Sequence, residues 1–141
     1  MATCVFCRIL SGELESSFAY RGSKASAFLD IHPITPGHVL IVPHSHVERF
    51  AAIEPSTTAE MIEIAQKILR EIQRTDLKCE GTNIFLSDGA VAGQDVPHSH
   101  LHIVPRFYGD GHKMGFSHTD PEQINRATLN VIAGKISQML K

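Results

Sequence analysis

An α+β domain built on a mostly antiparallel sheet is the fold class this sequence predicts, and three observations carry that prediction. His98, His100 and His102 alternate with Ser99, Leu101 and Ile103, the period of two expected of a strand with one apolar face. The run His38-Val39-Leu40-Ile41-Val42, bounded by Pro36-Gly37 and Pro43, has the length and composition of a central buried strand. Met61, Ile64, Ala65, Ile68, Leu69 and Ile72 recur at spacings of three and four, the apolar stripe of one long helix. Strands joined partly by turns and loops, with a single helix crossing between them, suit an antiparallel arrangement.

Taken in order, Cys4 to Leu10 reads as a short helical turn ended by Ser11-Gly12. Phe18 to Tyr20 and Ala25 to Asp30 read as two strands joined by the turn Arg21-Gly22-Ser23-Lys24. After the 38–42 strand comes the long helix, with Pro55 ahead of it and a capping box formed by Thr57 and Glu60. Asn83 to Ser87 is a fourth strand, and the small-residue loop from Asp88 to Gly93 leads into the histidine strand as the fifth. A last helix is expected to open with Asp120 as cap and Pro121 at its first position, running to about Leu140 with Gly134 as a weak point.

The chain of 141 residues shows no repeat and no linker, which predicts a single domain over 1–141. A formal net charge of −2 offers no general attraction to nucleic acid or to an anionic membrane, so any phosphate must be held by local groups. No apolar run approaches the ~20 residues of a membrane span. Cys4, Cys7 and Arg8 interrupt the start where a signal peptide would need apolar residues, so a cytoplasmic location is the expectation. The odd number of cysteines, 3, argues against a disulfide framework and fits a reducing compartment.

Three imidazoles on one strand face point to metal binding or to chemistry, because histidine serves near neutral pH as nucleophile, base or acid. Gly89, Gly93 and Gln94, just ahead of them, offer a loop whose backbone N–H groups and side-chain amide could cradle a phosphate. Cys4-Val5-Phe6-Cys7 reads as a redox pair, a metal site or two buried thiols.

The pattern Gly93-Gln94-x-x-x-His98-x-His100-x-His102-Ile103-Val104 resembles the signature of the histidine triad (HIT) family of nucleotide hydrolases and transferases. Earlier blocks are similar too: Cys4-x-Phe6-Cys7-x-Ile9, Ala27-Phe28-Leu29-Asp30-Ile31-x-Pro33 and Pro36-Gly37-His38-x-Leu40-Ile41-x-Pro43, so the resemblance spans roughly 4–106. It implies a HIT-like sheet of about five strands with a long crossover helix, and a C-terminal helical extension over about 107–141 that would shape the leaving-group pocket. By the same resemblance His100 is the nucleophile, attacking the α-phosphorus of a purine nucleoside 5′-phosphate derivative to form a covalent nucleotidyl-imidazole. His102 and His38 would bind phosphate oxygens or hold the imidazole tautomer, with His98 completing the catalytic set. Asp30 would accept the ribose hydroxyls, and Phe6, Ile9, Phe28 and Ile31 would clamp the base. Asn83, Gly93, Gln94 and Asp95 would lie around the phosphate.

In family members carrying this cysteine pair, the positions matching Cys4, Cys7, His46 and His98 are zinc ligands, which implies structural zinc here and no organic cofactor. The family's two-fold dimers imply a homodimer, with the helix stripe around Ile64 to Ile72 as one interface unless the core claims it. Two residues depart from the pattern. Asp95 stands where several branches use serine or threonine, and Ser99 replaces an apolar residue. The substrates implied are nucleoside 5′-phosphoramidates or dinucleoside polyphosphates. Two other readings stand beside this one: a metallohydrolase using zinc-bound water, and a nucleotide-binding sensor with little turnover.

Overall fold

The structure, a computed structural model, describes residues 3–141, which divide into a larger unit ending at Gly111 and a smaller one, His112–Lys141. In chain order the first unit contains α1 (Val5–Leu10), β1 (Phe18–Arg21), β2 (Ala25–Leu29), β3 (Val39–Pro43), α2 (Pro55–Ile72), β4 (Gly81–Phe85) and β5 (Leu101–Arg106). The five strands form one sheet in the order β1-β2-β3-β5-β4, and every neighbouring pair is antiparallel. The α+β class and the antiparallel sheet are as predicted.

The pleat divides the core into two layers. Ala25, Ala27, Val39, Ile41, Leu101 and Ile103 face α2, where they meet Met61, Ile64 and Ala65. The alternate residues Phe28, Leu40 and Val42 pack on the other side with Cys4 and Phe6, from the segment that forms α1. The helix stripe therefore belongs to the core of its own chain, which withdraws it as a dimer interface: Met61, Ile64, Ala65 and Ile72 are all buried. At about 25 cal/mol per Å² of apolar surface, burying each of these large side chains contributes about 1.5–3 kcal/mol.

Local expectations fail where a distant partner intervenes. The Thr57–Glu60 capping box does not form; Glu54 is the N-cap without a side-chain bond, and Pro55 opens the helix. Glu60 reaches across to the β1–β2 turn instead, accepting from the Ser23 hydroxyl and from the Lys24 and Ala25 N–H groups, each at 2.6 Å. Three donors hold one carboxylate and keep its pKa below the usual range, led by the Ser23 hydrogen bond. Gly22 is required there, because a Cβ would collide with the Ala25 carbonyl and the Glu60 carboxylate. Glu60→Ala is expected to destabilise the protein by about 1–2 kcal/mol, read as a lower denaturation midpoint, since two turn N–H groups lose their acceptor.

The second strand of the 81–106 hairpin also shifts. β4 ends at Phe85, short of the predicted Ser87, and β5 begins only at Leu101. Pro43, expected to stop β3, is its last paired residue, opposite Ala25. In the second unit, Asp120 and Pro121 do not start the last helix. Asp120 accepts from the Glu122 N–H (3.0 Å), closing an isolated turn, whereas α3 (Arg126–Met139) is capped by Asn125, which accepts from the Thr128 N–H at 3.0 Å. Among the described residues no helix is long and apolar enough to cross a membrane.

Candidate active site and metal-ligand cluster

A cleft of about 330 Å³ opens between α1 and the sheet face that carries Phe28 and Leu40. His100 and His102 lie along it with Phe6, Ile9, Phe28, Asp30, Ile31 and Asp95, all singled out from the sequence, and with Leu14, Glu15 and Ser16, which were not. Phe6 joins the layers edge to face, its ring centre 5.5 Å from that of Phe28 and 5.0 Å from that of His100. Ile31 is 83% exposed, an uncovered apolar side chain at the rim.

Backbone groups set the tautomers of the imidazoles. The His98 carbonyl lies 2.7 Å from His100 Nδ1, and a carbonyl only accepts, so Nδ1 carries a proton and the lone pair of the neutral ring is on Nε2. The Ile34 N–H donates to His38 Nδ1 at 3.0 Å, so the proton of neutral His38 sits on Nε2. That N–H donates to His102 Nδ1 at 2.9 Å, which leaves the His102 proton on Nε2. The cleft thus receives one bare imidazole nitrogen, from His100, and one imidazole N–H, from His102.

Burial favours the neutral forms of His102 and His38. It lowers the His102 pKa to about 4, with His100 and His38 adding to the shift and Asp30 opposing it. Burial likewise lowers that of His38, against the pull of Asp30, whose carboxylate lies 3.6 Å from His38 Nε2. Phe85 stacks on His102 with ring centres 4.3 Å apart and planes 7° from parallel, fixing the ring's orientation. Phe85 carried no signal in the sequence, because its partner follows from the register that pairs it with His102.

Three residues expected near phosphate lie outside the lining of the cleft. Gln94 spends its amide on the protein backbone, accepting from the Gly89 N–H at 2.7 Å and donating to the Glu48 and Val96 carbonyls. Gly93 closes the preceding short turn with a φ of 97°, a conformation that favours glycine. Asn83 accepts from Arg106 at 2.8 Å, beside the bonds of Arg106 to Asp110. Ser99 is buried behind the triad, and its hydroxyl has no partner among the described residues.

His98 turns elsewhere. Its Nε2–H donates to the Pro43 carbonyl at 2.8 Å, so its Nδ1 lone pair points at Cys4 Sγ (3.4 Å) and Cys7 Sγ (3.6 Å). His46 Nδ1 lies 3.4 Å from Cys7 Sγ, and the four ligand atoms fall within 4.8 Å of one another. Zinc–sulfur and zinc–nitrogen bonds of roughly 2.3 and 2.0–2.1 Å give a tetrahedral S···N edge of about 3.6 Å, so the donor set fits zinc in both chemistry and spacing. The Pro43 carbonyl is the outer partner that selects the ligating nitrogen. Burial raises the Cys4 thiol pKa, opposed by the Cys7 backbone N–H, which is contrary to the low pKa of a redox thiol. Asp30, His38 and His102 form a second close group, in which His38 is hydrogen-bonded to His102 and Asp30 lies 3.6 Å from His38 Nε2.

The family model for the HIT domain matches residues 11–109. A HIT-like protein of Methanocaldococcus jannaschii is 39% identical over 80% of this chain and 86% of its own length. Among solved structures, a HIT family protein from Bacillus anthracis superimposes with a TM-score of 0.90 at 29% identity, covering 99% of this chain and 98% of that one. A zinc-bound histidine triad family protein from Mycobacterium smegmatis gives a TM-score of 0.74 at 35% identity, covering 95% and 98%. A histidine triad nucleotide-binding protein from Candida albicans gives 0.84 at 27% identity, covering 98% and 97%.

Proposed function

The chain belongs to the HIT domain family, and from that premise we propose that it is a nucleotide hydrolase cleaving at the α-phosphate through a nucleotidyl intermediate on His100. One observation carries this reading: the His98 carbonyl takes the Nδ1–H of His100, so the neutral ring turns its Nε2 lone pair to the cleft. A neutral imidazole so oriented is a nucleophile at neutral pH without a separate base.

In the first step the Nε2 lone pair forms a bond to the α-phosphorus. The bond to the leaving group breaks, and that group departs with the electron pair and takes up a proton from solvent. In the second, water adds to phosphorus, the P–Nε2 bond breaks, a proton is released and the nucleoside monophosphate leaves. The His102 Nε2–H donates to the non-bridging oxygens as their charge grows, and His38 holds it in the donor tautomer. Asp30 accepts from the ribose hydroxyls, and Phe6, Ile9, Phe28 and Ile31 contact a purine. Asn83, Gly93 and Gln94 act behind the site by holding its loops.

Zinc on Cys4, Cys7, His46 and His98 would supply a structural crosslink between α1, the segment after β3 and the approach to β5. The single-domain reading, a cytoplasmic location and a homodimer complete the proposal. Acid quenching during turnover of adenosine 5′-phosphoramidate, followed by mass spectrometry, tests it. An adenylyl adduct on His100 is expected, and AMP binding with neither adduct nor turnover would leave a nucleotide-binding sensor.

A further inference from the structure

Resting on the hydrolase reading, we infer that Asp95 makes the cleft selective for leaving groups that are neutral or cationic, such as amines, and turns away oligophosphates. Asp95 Oδ1 lies 3.6 Å from His100 Nε2, the atom that would meet the α-phosphorus, and its side chain is 82% exposed. It therefore puts a negative charge beside the nucleophilic nitrogen, within a few ångströms of any group attached to the α-phosphorus.

The rest of the cleft reinforces that charge. Glu15 and Asp30 also line it, and among the described residues its only basic lining side chains are the imidazoles of His32, His100 and His102. His102 cannot serve as a counter-cation, since its lone pair is committed to His38. Arg49 packs its guanidinium against Gly89 and is not part of the lining. Sites that hold polyphosphates ordinarily supply lysine, arginine or a glycine-rich nest for each phosphate. Here one acid stands at the nucleophile, and the Gln94 amide is taken up by the Gly89 N–H and the Glu48 and Val96 carbonyls.

The discrimination follows from charge. The α-phosphate is common to both substrate classes, so its repulsion by Asp95 cancels from the ratio of their rates. What differs is the leaving group, an amine in one case and a nucleoside polyphosphate with several negative charges in the other. Two unit charges about 5 Å apart in a water-like medium repel enough to change a rate about fourfold. The second and third charges lie farther along the polyphosphate and add less each, so the preference is on the order of tenfold, and salt weakens it because Asp95 is exposed.

The experiment compares kcat/KM for adenosine 5′-phosphoramidate and diadenosine tetraphosphate, with divalent cations omitted, in the wild type, Asp95→Asn, Asp95→Ser and Asp95→Glu. The wild type and Asp95→Glu are expected to favour the phosphoramidate. Asp95→Asn and Asp95→Ser shift the ratio about tenfold toward the tetraphosphate, and 0.5 M salt in the wild type shifts it the same way. A ratio that moves less than about twofold in the neutral variants, or a wild type that favours the tetraphosphate, overturns the selectivity while leaving the hydrolase standing. Absence of AMP release from both substrates by every protein overturns the two together.

Discussion

Replacing His100 with asparagine is expected to lower kcat/KM for a nucleoside 5′-phosphoramidate by about 10⁴-fold or more, the scale on which loss of a covalent nucleophile is felt. The size follows from what is left behind. His102 still donates to the phosphate oxygens, but water must attack directly, and its lone pair is neither as nucleophilic as imidazole nor fixed in the cleft. Asparagine can still donate to the His98 carbonyl, so the approach to β5 keeps its local bond and the variant should fold. Steady-state AMP release, measured beside a thermal unfolding curve, reads both. Turnover within tenfold of wild type in a folded His100→Asn protein would remove the covalent route and return the metallohydrolase reading to the front.

The second large effect concerns stability. Stripping zinc, or substituting Cys7→Ser, is expected to lower the melting temperature by about 10 °C or more. A metal present at about 1,000 times its Kd contributes about 4 kcal/mol, and a unit of this size loses several degrees per kcal/mol. Cys4 and His98 are 7% and 0% exposed, so losing the shared ion leaves a buried thiol and a buried imidazole nitrogen without their partner. The crosslink joins segments 39 and 94 residues apart in the chain, which no local interaction replaces. Metal analysis of the purified protein should find one zinc per chain in wild type and less in Cys7→Ser. Equal melting temperatures and no metal in either protein would dismiss the site.

Both expectations start from residues that were visible in the sequence. The alternating histidines, the Cys4–Cys7 pair and the apolar stripe from Met61 to Ile72 announce themselves through spacing, and the structure uses each of them. Gln94 and Asn83 were visible as well, yet their polar atoms bond to the protein itself, to the Glu48 carbonyl and to Arg106. The capping box shows the same thing on a smaller scale. Thr57 and Glu60 have the right spacing, but the Ser23-Lys24-Ala25 turn offers Glu60 three donors where the helix offers one.

Periodicity and side-chain chemistry are properties of near neighbours, so the class of fold, the order of the strands along the chain and the imidazoles and thiols at hand are all legible before folding is considered. Which nitrogen of His98 and of His102 is free depends instead on contacts between distant parts of the chain. His98 is oriented by the carbonyl of Pro43, 55 residues away, and His102 by His38, 64 residues away. A hydrogen bond orients a lone pair only when both of its atoms are in place, and folding is what brings them there.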